Sequence, residues 1–338
     1  MNYIGSKFSL LDFIENSIKS VNSSLNDKIF CDIFAGTCAV GRHFKTKVKQ
    51  VIANDLEFYS FVLAQNYIVN HTRISNIQEL FDELNNEIKT PLIKGKIFEN
   101  YSFCGSQNRQ YFSDENGAKI DAIRQKIQIW LDSKKIDKRV YFHLLASLLE
   151  SSDKVANTAS VYGAFLKKLK KSASKRLILE PAIFELNDNE HLVFNENANE
   201  LIKKISGDIL YLDPPYNHRE YGANYHLLNT IALYDDFIPK GKTGLREYKK
   251  SAWCKKNSAQ SALDDLLKSA KFSQIFLSYN NEGIISPDEI RKTMSKYGKY
   301  ECFTKEYRRF KADSKREHKA DSVVEYLHFL EKIYIFLR

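Results

Sequence analysis

A chain of 338 residues is long enough for one large domain carrying an insertion, or for two domains of ordinary size. Its 43% hydrophobic content, with aromatic residues spread along the whole length, excludes a disordered or low-complexity chain. Lysine and arginine total 51 against 42 acids, a net charge of +9 that favours an anionic partner, and no apolar run approaches the roughly 18 residues of a membrane helix.

The opening Met-Asn-Tyr-Ile-Gly-Ser-Lys is not a basic-then-apolar leader, so a cytoplasmic protein is expected. Leu10, Leu11, Ile14 and Ile18 then follow the spacing of one helical face. The apolar run from Lys28 to Phe34 ends at Ala35-Gly36-Thr37, is followed by Val40 and Phe44, and gives way to Val51-Ile52-Ala53-Asn54-Asp55. That order reads as strand, turn, helix, strand, one βαβ unit. The cysteines Cys31, Cys38, Cys104, Cys254 and Cys302 are scattered with no CxxC pair, so reduced thiols and no metal are expected.

From about Asn70 to about Glu185 the character changes to amphipathic stretches, such as Ile120, Ile123, Ile127, Trp130 and Leu131, separated by polar loops. This region reads as a mainly helical insertion. Two loops in it carry groups that suit bases or phosphates: Ser106 to Gln110, and the basic run from Lys167 to Arg176. Alternation returns with a strand at Leu192–Phe194, a helix at Leu201–Ile205 and a buried strand at Asp208–Leu212. Further strands are predicted at Ile275–Tyr279, Val323–Phe329 and Ile333–Leu337.

Small residues where a parallel strand meets a helix let the backbone approach a ligand, and the carboxyl ends of such strands are where open α/β sheets bind cofactors. Gly36 and Gly41 fit that use, although a tight structural turn needs the same residues. Asp55 closes the second strand nineteen positions after Gly36, close to the ~20 at which nucleotide-binding folds place a ribose-binding acid. Its alternative role is an ordinary helix cap.

Asp213-Pro214-Pro215-Tyr216 follows the Asp208–Leu212 strand directly. Two prolines fix φ and remove two backbone donors, so the turn presents rigid carbonyl acceptors. An exocyclic amine on an aromatic ring is a poor nucleophile, because its lone pair is delocalised into the ring. It needs acceptors for both hydrogens to rehybridise, and the Asp213 carboxylate with the Pro214 carbonyl supplies them. Tyr216 adds a face on which a base can stack. A proline turn with a capping acid is the alternative.

On these residues the chain resembles the alpha group of amino-methyltransferases acting on adenine in DNA, which includes the Dam methylases. The resemblance runs through Tyr3-Ile4-Gly5-Ser6-Lys7, Phe34-Ala35-Gly36-Thr37, Asn54-Asp55, a variable middle and Asp213-Pro214-Pro215-Tyr216. It implies a Rossmann-like α/β methyltransferase core at 1–70 and 186–338, with a target-recognition region at 71–185. It also implies S-adenosylmethionine as cofactor, held by Tyr3, Lys7, Asp32, Phe34, Ala35, Gly36, Thr37, Asp55, Asn197 and Asp213. The catalytic residues are then Asp213, Pro214, Pro215 and Tyr216. Cys38 stands where the family usually has a second glycine, a substitution that a negative φ tolerates.

The substrate implied is double-stranded DNA with the target adenine flipped out, in a restriction-modification system with a companion endonuclease, without a stable complex between the two being implied. Asn108, Arg109, Lys167, Lys168, Lys170, Lys171 and His226 are the DNA-contact candidates, and basic stretches at Lys240–Lys256 and Tyr307–Lys319 add charge. The alternatives are methylation of ribosomal RNA adenine, methylation of cytosine N4 in DNA, and a catalytically silent DNA-binding subunit.

Overall fold

In the computed structural model the described residues are 3–86, 94–308 and 322–333. The chain divides into two compact units. A sheet unit comprises Ser6–Leu56, Asn189–Glu220 and Lys249–Arg338, and a helical unit comprises Met1–Gly5, Glu57–Asp188 and Tyr221–Tyr248.

The sheet unit is built on seven strands: β1 (Ile29–Asp32), β2 (Gln50–Asn54), β3 (Leu192–Phe194), β4 (Ser206–Leu212), β5 (Lys271–Asn280), β6 (Gly298–Arg308) and β7 (Ser322–Lys332). Their order in the sheet is β3-β2-β1-β4-β5-β7-β6. All pairs are parallel except that β7 runs antiparallel to both β5 and β6. The order reverses between β1 and β4, where Asp32 pairs with Tyr211 in register. In an open α/β sheet that reversal opens a crevice at the carboxyl ends of the strands.

Strands buried on both faces read as continuous apolar runs. β4 is such a strand: Leu210 and Leu212 join a core with Cys31, Ile33, Leu277 and the helix Lys256–Ser269, while Ile209 and Tyr211 are buried on the opposite face. There Phe30 stacks on Phe44 at 4.4 Å and Phe276 on Phe329 at 4.8 Å. These contacts fix the register, because a slip of one residue would exchange the faces.

In the helical unit the helix Asp114–Asp132 is the organiser. Ser113 caps it by accepting the Asn116 N–H, and Asp114 and Glu115 occupy its first turn. Ile120, Ile123, Ile127 and Trp130 are buried along it, and four polar side chains buried beside them each hold another segment by its backbone. Asn116 bonds the carbonyl of Lys175 and the N–H of Leu177, and Lys119 donates to the Leu177 carbonyl. Asp121 accepts the N–H groups of Gly95, Ile97 and Phe98 at the start of the helix Lys96–Tyr101. Arg124 donates to the carbonyls of Ile231 and Ala232 at the end of the helix His226–Leu233. Helix termini leave such groups without intrahelical partners, so these contacts offset the cost of burying them.

The division differs from the boundaries read in the sequence. The helix Phe58–Ala64 belongs to the helical unit, because Asn229 accepts the Tyr59 N–H at 2.9 Å and donates to the Glu57 carboxylate at 2.6 Å. The segment Tyr221–Tyr248 joins the same unit. The helix expected at Leu201–Ile205 instead spans Ala198–Leu201, since Asn197 caps its start. The edge strand β6 was not anticipated, and of the strand expected at Ile333–Leu337, residues 334–337 lie outside the described residues. No helix among the described residues is long and apolar enough to cross a membrane.

Candidate active site

The carboxyl edge of the sheet collects the acidic residues that the sequence singles out. β1 ends on Asp32, β2 is followed by Asp55 and β4 by Asp213. Between Asp32 and the helix Ala39–Phe44 the chain turns through Gly36, in left-handed backbone with φ 52°. The Ala35 N–H bonds the Asn54 carbonyl and the Gly36 N–H bonds the Asp55 carboxylate, both at 2.8 Å. The turn is thereby laced to the end of β2. Asn54 bonds the Ile33 carbonyl and both the N–H and the carbonyl of Glu196, so the ends of β1, β2 and β3 are tied at one level.

Cys38 is also left-handed, with φ 64° and ψ 20°. The negative φ that the sequence reading required for a cysteine there is not what the chain adopts. The backbone keeps the conformation a glycine would take, and the Cβ bears a strain of roughly 1–2 kcal/mol. The Cys38 N–H bonds the Ala35 carbonyl at 2.6 Å and its own carbonyl accepts the Arg42 N–H, so turn and helix impose that conformation.

Asp32 is buried with one oxygen on the Gly41 N–H at 3.0 Å, and its other oxygen has no hydrogen-bond partner among the described residues. Burial pushes its carboxyl up to about 8, with Asp213 and Asp55 adding to the rise against the pull of the Gly41 N–H and Lys7. Lys7, itself buried, sets its ammonium 2.8 Å from the Asp213 carboxylate and 3.7 Å from that of Glu325. Burial opposes the charge on Lys7, but Asp213 and Glu325 outweigh it and hold the ammonium well above its ordinary range. Burial raises Asp213 to about 6, and Lys7 restrains that rise.

Pro214 is buried and Pro215 half-buried. The Tyr216 carbonyl accepts the Ile284 N–H at 3.0 Å, and its half-buried ring meets Tyr279 edge-on at 6.4 Å between centroids. Beyond it the Glu220 carboxylate accepts the Ser251 N–H, and His218 contacts the Cys254 carbonyl, which fixes the loop at both ends. Phe34 packs edge-on against Trp253 at 5.2 Å. Asn197 accepts the Asn199 N–H as a helix cap, the local role that such a residue takes most readily.

The remaining candidates fall in the helical unit. Tyr3 stacks on Tyr225 at 4.4 Å, and its hydroxyl meets that of Tyr59 at 2.7 Å. Asn108 is exposed in left-handed backbone. Arg109 is buried, and its guanidinium bonds the carbonyls of Asn100 and Gly241, the latter in the Lys240–Leu245 turn. His226 is fully buried with Nε2 3.0 Å from the Tyr162 carbonyl. Burial holds its pKa down at about 4. Lys167, Lys168 and Lys171 are exposed, whereas Lys170 turns its ammonium to the Thr158 carbonyl at 2.7 Å. Of the basic stretch Tyr307–Lys319, residues 309–319 lie outside the described residues. Among the described residues no His, Cys, Asp and Glu cluster could hold a metal ion.

Sequence reasoning missed Glu325 and Ser278. Glu325 reaches the site from an antiparallel strand, and only the pairing of β5 with β7 brings the two together.

A protein-family model described as D12 class N6 adenine-specific DNA methyltransferase matches residues 3–293. The chain is similar to Type II methyltransferase M.NlaIII of Neisseria lactamica, 57% identical over 99% of this chain and 100% of that protein. It is also similar to Type II methyltransferase M.CviAII of Paramecium bursaria Chlorella virus 1, 39% identical over 98% of each. Type II methyltransferase M.FokI of Planomicrobium okeanokoites is 38% identical over 98% of this chain and 53% of that protein.

Proposed function

The chain belongs to the D12 class of N6 adenine-specific DNA methyltransferases, and from that premise we propose that S-adenosylmethionine supplies the methyl group, on a cationic sulfur, and that Asp213 receives the target amine. The family sets aside cytosine N4 and ribosomal RNA as substrates. The observation that carries the reading is the Lys7–Asp213 pair, 2.8 Å apart directly after β4 at the point where the strand order reverses.

The residues fit such a cofactor. Asp32 has a buried oxygen without a partner among the described residues, the kind of group that a ligand ammonium satisfies. Gly36 brings backbone close to a ligand, and Asp55 ends β2 where a ribose-binding acid belongs. Asp55, Asp213 and Glu325 against Lys7 give the edge a net negative charge suited to a cationic donor.

Asp213 is mostly ionised at neutral pH, so its carboxylate accepts one amine hydrogen while the Pro214 carbonyl accepts the other. The adenine nitrogen rehybridises and turns its lone pair toward the methyl carbon. As the N–C bond forms and the S–C bond breaks, positive charge grows on nitrogen beside Asp213, which is where stabilisation lowers the barrier. The extra proton then leaves the nitrogen to water. Tyr216 stacks on the base, which must leave the duplex for its amine to be reached.

The helical unit serves target recognition in this reading, with Lys167, Lys168 and Lys171 on phosphates. The names of the relatives support a Type II system, in which a companion endonuclease cuts the unmodified sequence and the chain works in the cytoplasm on nucleoid DNA. The test is to express the chain in a methylation-free host, quantify methylated nucleosides in DNA and ribosomal RNA by mass spectrometry, and sequence the modified sites. N6-methyladenine at one short motif is expected. Methylcytosine, or methylation confined to RNA, overturns the reading.

A further inference from the structure

Glu325 lies on β7, whose antiparallel pairing sets it opposite Asn280 at the carboxyl end of β5. It is 2% exposed, and the Ser278 hydroxyl donates to its Oε1 at 2.5 Å. The same Oε1 lies 3.7 Å from the Lys7 ammonium, which bonds Asp213 at 2.8 Å. One buried cation therefore faces two carboxylates, the buried Glu325 and the partly buried Asp213. A buried carboxylate is costly unless paired and hydrogen-bonded, and apolar packing at this position would stabilise the sheet as well without that cost. The charge calls for a role in the site.

We propose that Glu325 is a positioning residue for methyl transfer: anchored by Ser278, it shares the Lys7 ammonium with Asp213 and so keeps the Asp213 carboxylate fixed and basic toward the substrate amine. The proposal rests on Asp213 as the amine acceptor. With Lys7 committed to Asp213 alone, the carboxylate would give up electron density to the ammonium and become a weaker acceptor. A second carboxylate on the far side of the ammonium limits that loss, and its own negative charge makes Asp213 hold a proton more tightly. The groups that face Asp213 are Lys7 from the N-terminal segment, Glu325 from β7, Tyr211 from β4, Asp32 from β1 and Tyr216 from its own loop.

The test compares single-turnover methylation across pH for the full chain and two variants, with cofactor and duplex affinities measured alongside. Glu325→Gln keeps an acceptor for Ser278 and the volume of the side chain but removes the charge. It is expected to lower the maximal rate about tenfold and to move the acid limb of the profile down by roughly half a unit to one unit. Glu325→Asp keeps the charge but is too short to reach Ser278 and Lys7 together. It is expected to lose rate with the acid limb within a few tenths of a unit of its wild-type position. Glu325→Gln with an unmoved limb, or Glu325→Asp with the wild-type rate, overturns the proposal, as does a loss that lies wholly in cofactor or duplex affinity. Should Glu325→Gln fail to fold, the Asp variant decides. Asp213→Ala run in parallel separates the premises: activity surviving there removes the acceptor itself, whereas an inactive Ala variant beside an unshifted Gln variant removes only Glu325.

Discussion

The Gly36 N–H and the Asp55 carboxylate are hydrogen-bonded at 2.8 Å, so the acid expected to hold a ribose also holds the turn that approaches it. Asp55→Asn and Asp55→Ala should therefore part company. The amide retains an acceptor for Gly36 and should fold with near wild-type stability, yet bind S-adenosylmethionine more weakly by roughly 1.5–3 kcal/mol, the range of a hydrogen bond to a charged group. The alanine variant should lose about 1 kcal/mol of stability in addition. Calorimetric titration with denaturant melts separates the two, and unchanged cofactor affinity in both variants removes the assignment.

Asp213 must be ionised to accept an amine hydrogen, so methylation should fall as pH drops through about 6. Lys7→Ala should move that limb upward, because burial then acts without the restraining ammonium. The sign for stability is the opposite: the folded chain holds this proton above the ordinary 3.8, so the group's contribution to stability is full at low pH and declines as pH rises through about 6. Asp213→Ala should be inactive while still binding duplex, and activity above a tenth of wild type would exclude it as the acceptor.

Tyr216→Phe keeps the stacking face and should retain substantial activity, whereas Tyr216→Ala should lose an aromatic platform of roughly 1–3 kcal/mol per base. A mismatch opposite the target adenine lowers the cost of extrusion and should rescue the alanine variant selectively. Single-turnover rates on matched and mismatched duplexes measure this. Equal losses in both variants would point to the hydroxyl.

Replacing Lys167, Lys168 and Lys171 with glutamine should weaken all duplexes alike and flatten the dependence of affinity on salt, since phosphate contacts release counterions and carry no sequence information. Lys170, tied to the Thr158 carbonyl, should contribute less to the slope than its neighbours. A slope identical to wild type marks the run as a solvated face.

Arg109→Ala removes two donors from the carbonyls of Asn100 and Gly241, and should free the Lys240–Leu245 turn. Faster amide exchange confined to that turn and its supports is expected, with a stability loss of about 1–3 kcal/mol from the unpaired carbonyls. Relaxed specificity at a single base position with unchanged exchange would restore direct base reading.

Much of the sheet unit was legible because its signals are local. β2, β3, β4 and β5 are apolar runs bounded by turn residues, and Asp32, Asp55 and Asp213 stand at strand ends where the chain itself shows them. β6 was hidden because it is an edge strand: Lys299, Glu301 and Lys305 break its apolar pattern, as edge strands require to avoid pairing with other chains. Glu325 was hidden because an acid inside a mixed strand has no local mark. The surroundings of Arg109 and His226 were hidden for the converse reason: polar side chains in a helical domain look exposed until their burial is seen, and both lie against backbone carbonyls. Cys38 was misjudged because residue type does not report φ.

Four buried side chains of the helix Asp114–Asp132 hold neighbouring main chain, Asn116 and Lys119 at residues 175 and 177, Asp121 at 95 to 98 and Arg124 at 231 and 232, beside side-chain bonds to Tyr141 and Tyr234. A carbonyl or an N–H is the same whatever side chain it carries, so these grips are blind to the identity of what they hold. Ile97, Phe98, Leu177 and Ile231 on the gripped segments are buried, but exposed positions on the loops that continue from them can change while the anchorage stays constant. The unit is thus a frame whose exposed loops can vary without rebuilding the support beneath them, which is what the proposed role in target recognition requires.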